Sequence, residues 1–323
     1  MEFESERAYT FDNIVIDSNN FFMRYYSVES AKTKQESYDA NVGSIANAIR
    51  GLNKLLREYG NIHTHVYLLF DNAKSKMNVR KLIDPGYKLN RQRKSEAFYR
   101  SLDMFRLIML SYRDNMSVVF GTGHEADDIA PVVIGRTTGS VLVVSEDMDW
   151  CRLITNRVQL LNRNGVVGKK KFLEKYKFSP TENGIILYKT FHGDTVDNIP
   201  VGVLNIPKHL TVRLIDDYAD IYEVVENLDI IDYLSGNWKT KIREAKSRLF
   251  LNHELVSYIP ISETNIDKCM VDCHYKPKIL KTIYKTLDVD MSGVDTRVQV
   301  TVPSKNEKSW LDDFLKEPKP KRW

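Results

Sequence analysis

Nine acidic side chains carry most of the chemistry visible in this chain: Asp17, Asp71, Glu125, Asp127, Asp128, Asp147, Asp149, Asp194 and Asp197. Asp17 closes the run N-I-V-I-D, Asp71 closes V-Y-L-L-F-D, and Asp147 and Asp149 follow S-V-L-V-V-S-E. Three apolar runs of strand length therefore lead into aspartate. If those runs are parallel strands, their carboxylates gather at one edge of one sheet, where ligands of open α/β sheets bind. So many negative charges in one crevice repel one another unless divalent cations sit among them. Oxygen-only donors of this kind suit Mg²⁺ or Mn²⁺, and such sites commonly act on phosphate.

The spacing within each group supports this. In H-E-A-D-D-I-A (124–130), Glu125 and Asp128 are three apart and share one helix face, with Asp127 beside them. Asp147 and Asp149 are two apart and project to one side of an extended chain. Asp194 and Asp197, in G-D-T-V-D-N, form a third set. Any single pair also suits a helix N-cap or surface acids near a helix N-terminus. All five groups in this order fit that reading poorly.

The elements that must position these acids follow from periodicity. Residues 13–17, 65–71, 118–120, 140–145 and 158–162 read as strands, and Ala46–Tyr59 as an amphipathic helix. A helix opens near Glu125 and runs to Ile134, and another lies near Leu102–Tyr112. Strands alternating with helices predict a mostly parallel α/β sheet flanked by helices. After about residue 180 strand-like runs give way to short helical segments. The expected organisation is an α/β domain over 1–182 with a basic insertion at 73–115, a helical region over 183–290, and an extension over 291–323 rich in Pro and Lys.

Composition sets outer limits. The chain has 323 residues, 42% hydrophobic and 28% charged, with a net charge of +4. That is an ordinary globular composition with room for two domains. Three cysteines, Cys151, Cys269 and Cys273, suggest a reducing compartment and no disulfide framework. C-M-V-D-C-H at 269–274 lacks the second ligand pair that zinc needs. The first residues have no apolar core, and no run approaches membrane-spanning length, so a cytoplasmic location is expected. Between Lys74 and Arg113, Lys and Arg far outnumber Asp and Glu. Beside an acidic cluster, such a segment suits a polyanion held through metals; by itself it would be a solvated face.

The order D…D-N-A-K-S…Y-K-x-N-R…E-A-D-D…D-x-D…G-D-x-x-D-N-I-P resembles the 5′ nuclease, or flap endonuclease, family. The kinship is with its phage-type members, 5′-3′ exonucleases and the ribonuclease H of T-even-type phages among them. The matching segments run from Asp17 to about Lys208. The resemblance implies a PIN-like fold with a helical arch and a helix-hairpin-helix-type region. It implies a metal-dependent phosphodiesterase that trims 5′ ends, flaps and RNA primers, with the nine acids as direct or water-mediated ligands of two or more ions. In the host cell of a phage it would be cytoplasmic. Two rivals remain: a single-strand PIN-like ribonuclease without junction preference, and an inactive binder of DNA structures.

Within the basic insertion, Y-K-L-N-R (87–91) matches the family's motif at the base of the arch. Lys88 and Arg91 lie three apart, so one helical turn would aim both at the scissile phosphate. Tyr87 would stack on a terminal base. Lys74, Lys76, Arg80, Lys81, Arg93 and Lys94 would line the path of a single strand, positioning it without reading its sequence. Arg24 would hold substrate or brace the acids. In the helical region, G-V-L-N-I-P-K (202–208) stands where the family has G-x-G-I-G-P-K. Losing glycines there weakens the case for a potassium ion at 202–208, although Asn205 can still adopt a left-handed backbone. Lys208 and His209 would then grip duplex phosphate. Lys169, Lys170, Lys171 and the basic stretch Lys239–Arg248 could extend that track. In the tail, Trp310, Leu311, Phe314 and Leu315 fall on one face of a short helix and resemble clamp-binding peptides. The partners this implies are DNA and RNA–DNA hybrids with 5′ ends, flaps or nicks, a sliding clamp and a single-strand-binding protein, for a monomeric enzyme.

Overall fold

The structure is a computed structural model and describes residues 10–32, 39–71 and 79–286. Lys74 and Lys76 lie outside the described residues, as do Trp310, Leu311, Phe314 and Leu315.

Strand β1 (Asn13–Asp17) leads into helix α1 (Ser18–Lys32) and then α2 (Val42–Tyr59). Asn41 caps α2, its side chain accepting the Ser44 N–H at 2.9 Å, so the helix starts at Val42, four residues before the expected Ala46. Strand β2 (His65–Leu69) precedes the basic insertion, which contains α3 (Val79–Ile83) and α4 (Glu96–Met109). Strand β3 (Met116–Val119), α5 (Ala126–Arg136) and β4 (Val141–Val144) follow. A 3₁₀ turn at Met148–Leu153 then leads to β5 (Val158–Asn162), β6 (Gly165–Val167) and α6 (Lys169–Tyr176). The remaining helices are α7 (Glu182–His192), α8 (Lys208–Asp217), α9 (Ile221–Glu226), α10 (Gly236–Glu244), α11 (Lys246–Val256) and α12 (Glu263–Cys269). Strand β7 (Met270–Asp272) and α13 (Pro277–Thr286) close the described chain.

The sheet order is β6-β5-β4-β1-β2-β3-β7. The five inner strands are parallel, and the two edge strands run antiparallel to their neighbours. Both faces are covered, which explains why the inner strands read as unbroken apolar runs. Alternate residues serve opposite layers. Ile14 and Ile16 pack with α1, α2 and α4, whereas Val15 packs with α5.

β7 corrects the expectation that strands end near residue 180. It pairs with β3, with Val271 opposite Val118. Ile279, Leu280, Ile283 and Tyr284 of α13 join the core under α2 and α4. The chain thus returns to the sheet after its helical excursion. Three residues of strand carry too little pattern to be recognised. A separate core, including Phe191, Leu214, Ile221, Ile242 and Leu249, holds α7 to α11 together.

The 202–208 loop keeps its turn without the family's glycines. Asn205 takes φ +59°, in the left-handed region that its short polar side chain tolerates. Gly202 is needed for close packing: a Cβ there would sit 2.2 Å from the Thr190 carbonyl oxygen. Among the described residues, no helix is long and apolar enough to cross a membrane.

Gly202→Ala is expected to destabilise the α7–α8 connection by about 1–3 kcal/mol, the usual scale of overpacking. Urea denaturation checks this, and an unchanged midpoint would show that the backbone there yields freely.

Candidate metal centre

The sheet places the acids. β1, β2 and β4 are neighbours, and Asp17, Asp71 and Asp147 stand at or just beyond their carboxyl ends. Asp71 accepts the Ala126 N–H at 2.8 Å, tying the end of β2 to the first turn of α5. Glu125 is the N-cap residue of α5, and Asp127 and Asp128 lie in its first turn, where the helix dipole favours negative charge. Asp194 and Asp197 come from the loop after α7. That loop is closed by the Asp194–Ile199 bridge, and Asp194 Oδ1 accepts the N–H groups of Val196 and Asp197. Asp149, Asp194 and Asp197 each offer an oxygen within 4.8 Å of the others.

Asp147 is extended, but Asp149 is not on extended chain as expected. Asp147 caps the 3₁₀ turn and accepts the Asp149 N–H at 3.0 Å. Bending brings Asp149 inward and leaves it buried.

Five basic side chains are threaded among the acids. Arg80 pairs with Asp128 through two bonds of 2.8 Å. Lys88 Nζ lies 2.7 Å from both Glu125 oxygens, and Arg91 bonds Asp197. Arg152 donates to Asp127 Oδ2 at 3.1 Å. Lys189 Nζ bridges Asp149 Oδ1 at 2.5 Å and Asp194 Oδ2 at 2.7 Å. Sequence inspection singled out neither Arg152 nor Lys189. Lys189 sits five residues before Asp194 on a helix that is otherwise apolar at that point. An isolated buried cation beside an acidic motif is the available signal.

Two expected substrate contacts are structural instead. Arg80 is only 2% exposed. Besides Asp128 it donates to the carbonyls of Leu255 and Ser257 at 2.9 Å, so it braces α3 and α5 against the end of α11. Tyr87 is also 2% exposed, among Ile186, Ile199, Leu255 and Val256. Its hydroxyl lies 3.1 Å from both Glu125 Oε2 and Asp197 Oδ2, which share its one proton, so its ring is not presented for stacking on a base. Asp128 has both oxygens engaged by Arg80, and Oδ1 also accepts the Ile259 N–H. In this arrangement it orients the α5 terminus rather than facing a ligand.

Lys88 and Arg91 do face the cluster, on a series of tight turns rather than a helix, with Lys88 at φ +55°. That turn is stapled to the acidic loop: the Lys88 N–H donates to the Asp197 carbonyl, Asn90 Nδ2 to Thr195, and Asn198 Nδ2 to Gly86. Lys81, Arg93 and Lys94 are exposed on the same insertion. Arg24 pairs with Glu146 at 3.1 Å, next to Asp147. Lys208 and His209 open α8, outside this cluster.

The electrostatics divide the acids. Burial pushes Asp17 up to about 7, helped by the charge of Asp71, against hydrogen bonds from Ser145 and the Asn20 N–H. Burial likewise lifts Asp147 to about 6, with Asp149 adding to it. Asp71 is raised by burial and then by Glu125. Asp127 is raised well above its ordinary range by burial and then by Asp128. Burial also opposes ionisation of Asp149 and Glu125, but Lys189 and Arg152 hold the first below its ordinary value, and Lys88 and Arg80 hold the second. Among the described residues, no basic side chain forms an ion pair with Asp17, Asp71 or Asp147. Asp127 Oδ1 is buried and has no hydrogen-bond partner. Buried carboxylates without an ion-pair partner, an orphaned buried oxygen and a purely oxygen donor set fit hard divalent cations.

Comparison with known proteins agrees. Residues 12–177 match the family described as 5′-3′ exonuclease, N-terminal resolvase-like domain. A 5′-3′ exonuclease from Buchnera aphidicola subsp. Schizaphis graminum is 26% identical over 266 residues, 78% of this chain and 88% of that protein. The flap endonuclease of Escherichia phage T5 is 25% identical over 249 residues, 71% of this chain and 78% of that protein. A crystal structure of a phage T5 protein co-crystallized with metal ions has a TM-score of 0.61 at 18% identity, over 88% of this chain and 99% of that chain. At that identity it speaks for the fold. Bacterial and phage relatives match about equally well, so the likeness is to the family as a whole.

Asp17→Asn should stabilise the metal-free protein at pH 8. The folded-state pKa lies above the ordinary 3.8, so this carboxyl costs stability progressively as pH rises from about 4 to 7, and the cost persists above. The melting temperature in EDTA should rise by about 5 °C at pH 8 and by little at pH 4. Equal shifts at both values would show that Asp17 is not strained by charge.

Proposed function

The chain belongs to the 5′-3′ exonuclease family, and from that premise we propose that it hydrolyses phosphodiester bonds at or near the 5′ ends of DNA and RNA–DNA hybrids, including flaps and nicks, with Mg²⁺ or Mn²⁺ bound. The observation that carries this reading is the convergence of acids from five separate segments on the carboxyl edge of β1, β2 and β4. The phage T5 flap endonuclease, matched over 71% of this chain, supports the substrate class.

Asp17, Asp71, Glu125 and Asp147 would hold one ion, and Asp149, Asp194 and Asp197 another, with Asp127 as a further ligand. When bound, the ions supply activation of water and stabilisation of the charge that grows on the leaving 3′ oxygen. The protein's part is positional. Lys88 and Arg91 lie at the edge of the acids on a turn fixed to the acidic loop. Arg91 keeps 44% of its side chain exposed and can hydrogen-bond a phosphate oxygen entering beside Asp197. Lys88 is half-buried against Glu125, stays protonated, and offsets charge developing on the transferred phosphate. Lys81, Arg93 and Lys94 guide the strand, and Lys208 and His209, opening α8, contact the duplex. No cysteine or serine nucleophile is needed.

The tail residues Trp310, Leu311, Phe314 and Leu315 dock on a replicative sliding clamp in this reading, because K-S-W-L-D-D-F-L has the form of a clamp-binding peptide.

Asp147→Asn should lower product formation on a 5′-flap substrate by at least about 10²-fold while duplex binding in EDTA is kept. Product maps on a flap, an RNA-primed duplex and plain single-stranded RNA decide between classes. Cleavage of plain RNA alone would establish the single-strand ribonuclease, and unchanged products from the Asp147 variant would establish a site elsewhere. Removing residues 304–323 should abolish clamp binding and spare metal-dependent cleavage; clamp binding that survives the deletion rules out the tail as the docking peptide.

A further inference from the structure

We propose that Arg152 is a positioning residue that aims the Asp127 carboxylate at the bound cations and ties it to the segment following α11; this rests on the metal-dependent reading above. Arg152 ends the same 3₁₀ turn that carries Asp147 and Asp149, and its side chain is 1% exposed. One terminal nitrogen donates to Asp127 Oδ2 at 3.1 Å and the other to the Val256 carbonyl at 2.8 Å. The guanidinium lies over the Tyr258 ring, 3.5 Å from its centroid. These three contacts orient the planar group, although its Nε is buried without a hydrogen-bond partner among the described residues.

Asp127 is fixed in turn. Oδ2 is held by Arg152, and Oδ1 is buried with no hydrogen-bond partner among the described residues. An acid gripped through one oxygen presents the other in a set direction. An unbonded carboxylate oxygen in a buried place needs a cation to make it tolerable. The neighbouring Asp128 has a separate anchor. Arg80 holds it and bonds the carbonyls of Leu255 and Ser257, whereas Arg152 takes Val256 and the Tyr258 ring. Two buried arginines thus grip alternate residues of 255–258, each bound to one of two adjacent acids. Residues 255–256 end α11, which packs against α7 and α9, so the orientation of Asp127 is referred to the helical region as well as to the sheet. Lysine cannot replace this arrangement, because a point charge on a flexible stem does not bond in opposed directions while stacked on a ring.

The test is a double-mutant cycle on the full chain with Arg152→Lys and Asp127→Ala, read as Mn²⁺ binding by calorimetry without nucleic acid. Arg152→Lys should weaken binding of one ion about 10–100-fold, the usual effect of losing a partner that orients a ligand. The double variant should bind no more weakly than Asp127→Ala alone, because Arg152 acts through Asp127. Wild-type Mn²⁺ affinity in Arg152→Lys, or losses that add in the double variant, would overturn the proposal. Should Arg152→Lys fail to melt cooperatively, Tyr258→Leu removes the ring and keeps the arginine. It should show a smaller loss that Asp127→Ala likewise masks, and additivity there also refutes the idea. With a flap substrate, Arg152→Lys should lower kcat and leave KM unchanged. A wild-type protein that binds Mn²⁺ but cleaves no 5′-ended substrate would sink the nuclease reading alone, and the calorimetric cycle would still decide the role of Arg152.

Discussion

Mutual repulsion among buried carboxylates is the constraint around which this molecule is built. Acids from five segments meet in one place, and each would be costly there alone. The protein offsets part of that charge internally. Arg80, Lys88, Arg91, Arg152 and Lys189 each engage at least one of them. The offset is uneven. Asp149 and Glu125 are held below their ordinary range by their basic partners, whereas Asp17, Asp71 and Asp147 have no ion-pair partner among the described residues and burial raises all three. The protein's own cations thus offset the acids to different degrees, and bound divalent ions would supply the rest.

The same ion pairs hold distant parts of the chain together. Lys189 joins the 3₁₀ turn after β4 to the loop after α7. Arg80 joins the basic insertion to α5 and to the end of α11. The turn at 84–91 is fixed to the loop at 193–199 by backbone and asparagine hydrogen bonds. Assembly of the helical region and assembly of the acidic site are therefore one event. Truncating one partner of such a buried pair leaves the other charge stranded, which is why these positions are less replaceable than surface charges.

Tyr87 and Arg80 show how far motif reading reaches. Both lie in a basic stretch beside a nucleic-acid-like motif, and both invite assignment to the substrate. Burial decides otherwise: each is 2% exposed and spends its polar atoms on site acids or backbone carbonyls. Lys88 and Arg91 also bond site acids, but they keep 16% and 44% of their side chains exposed and so stay open to a ligand. Arg80 is held within α3, and along the turn that follows Tyr87 is buried while Lys88, at positive φ, is not. A charge count along the chain carries no information about that.

The sequence by itself determined the parallel α/β layers, because strands buried on both faces must be apolar throughout and the helices between them must alternate. It also pointed to Asp17, Asp71 and Asp147 as neighbours, since carboxylates placed just after adjacent parallel strands share one edge. Asn205 was legible too, as a residue able to hold a left-handed turn without glycine. Tertiary structure alone decided that β7 and α13 return to the sheet, because three residues of strand carry no periodic signal. It alone decided which basic groups answer which acids. Arg152 and Lys189 lie at unremarked positions on their own elements, and only folding brings them within hydrogen-bond distance of acids 25 and 40 residues away in sequence. Pairing of buried charges depends on three-dimensional distance and dielectric, and neither is written in the order of the residues.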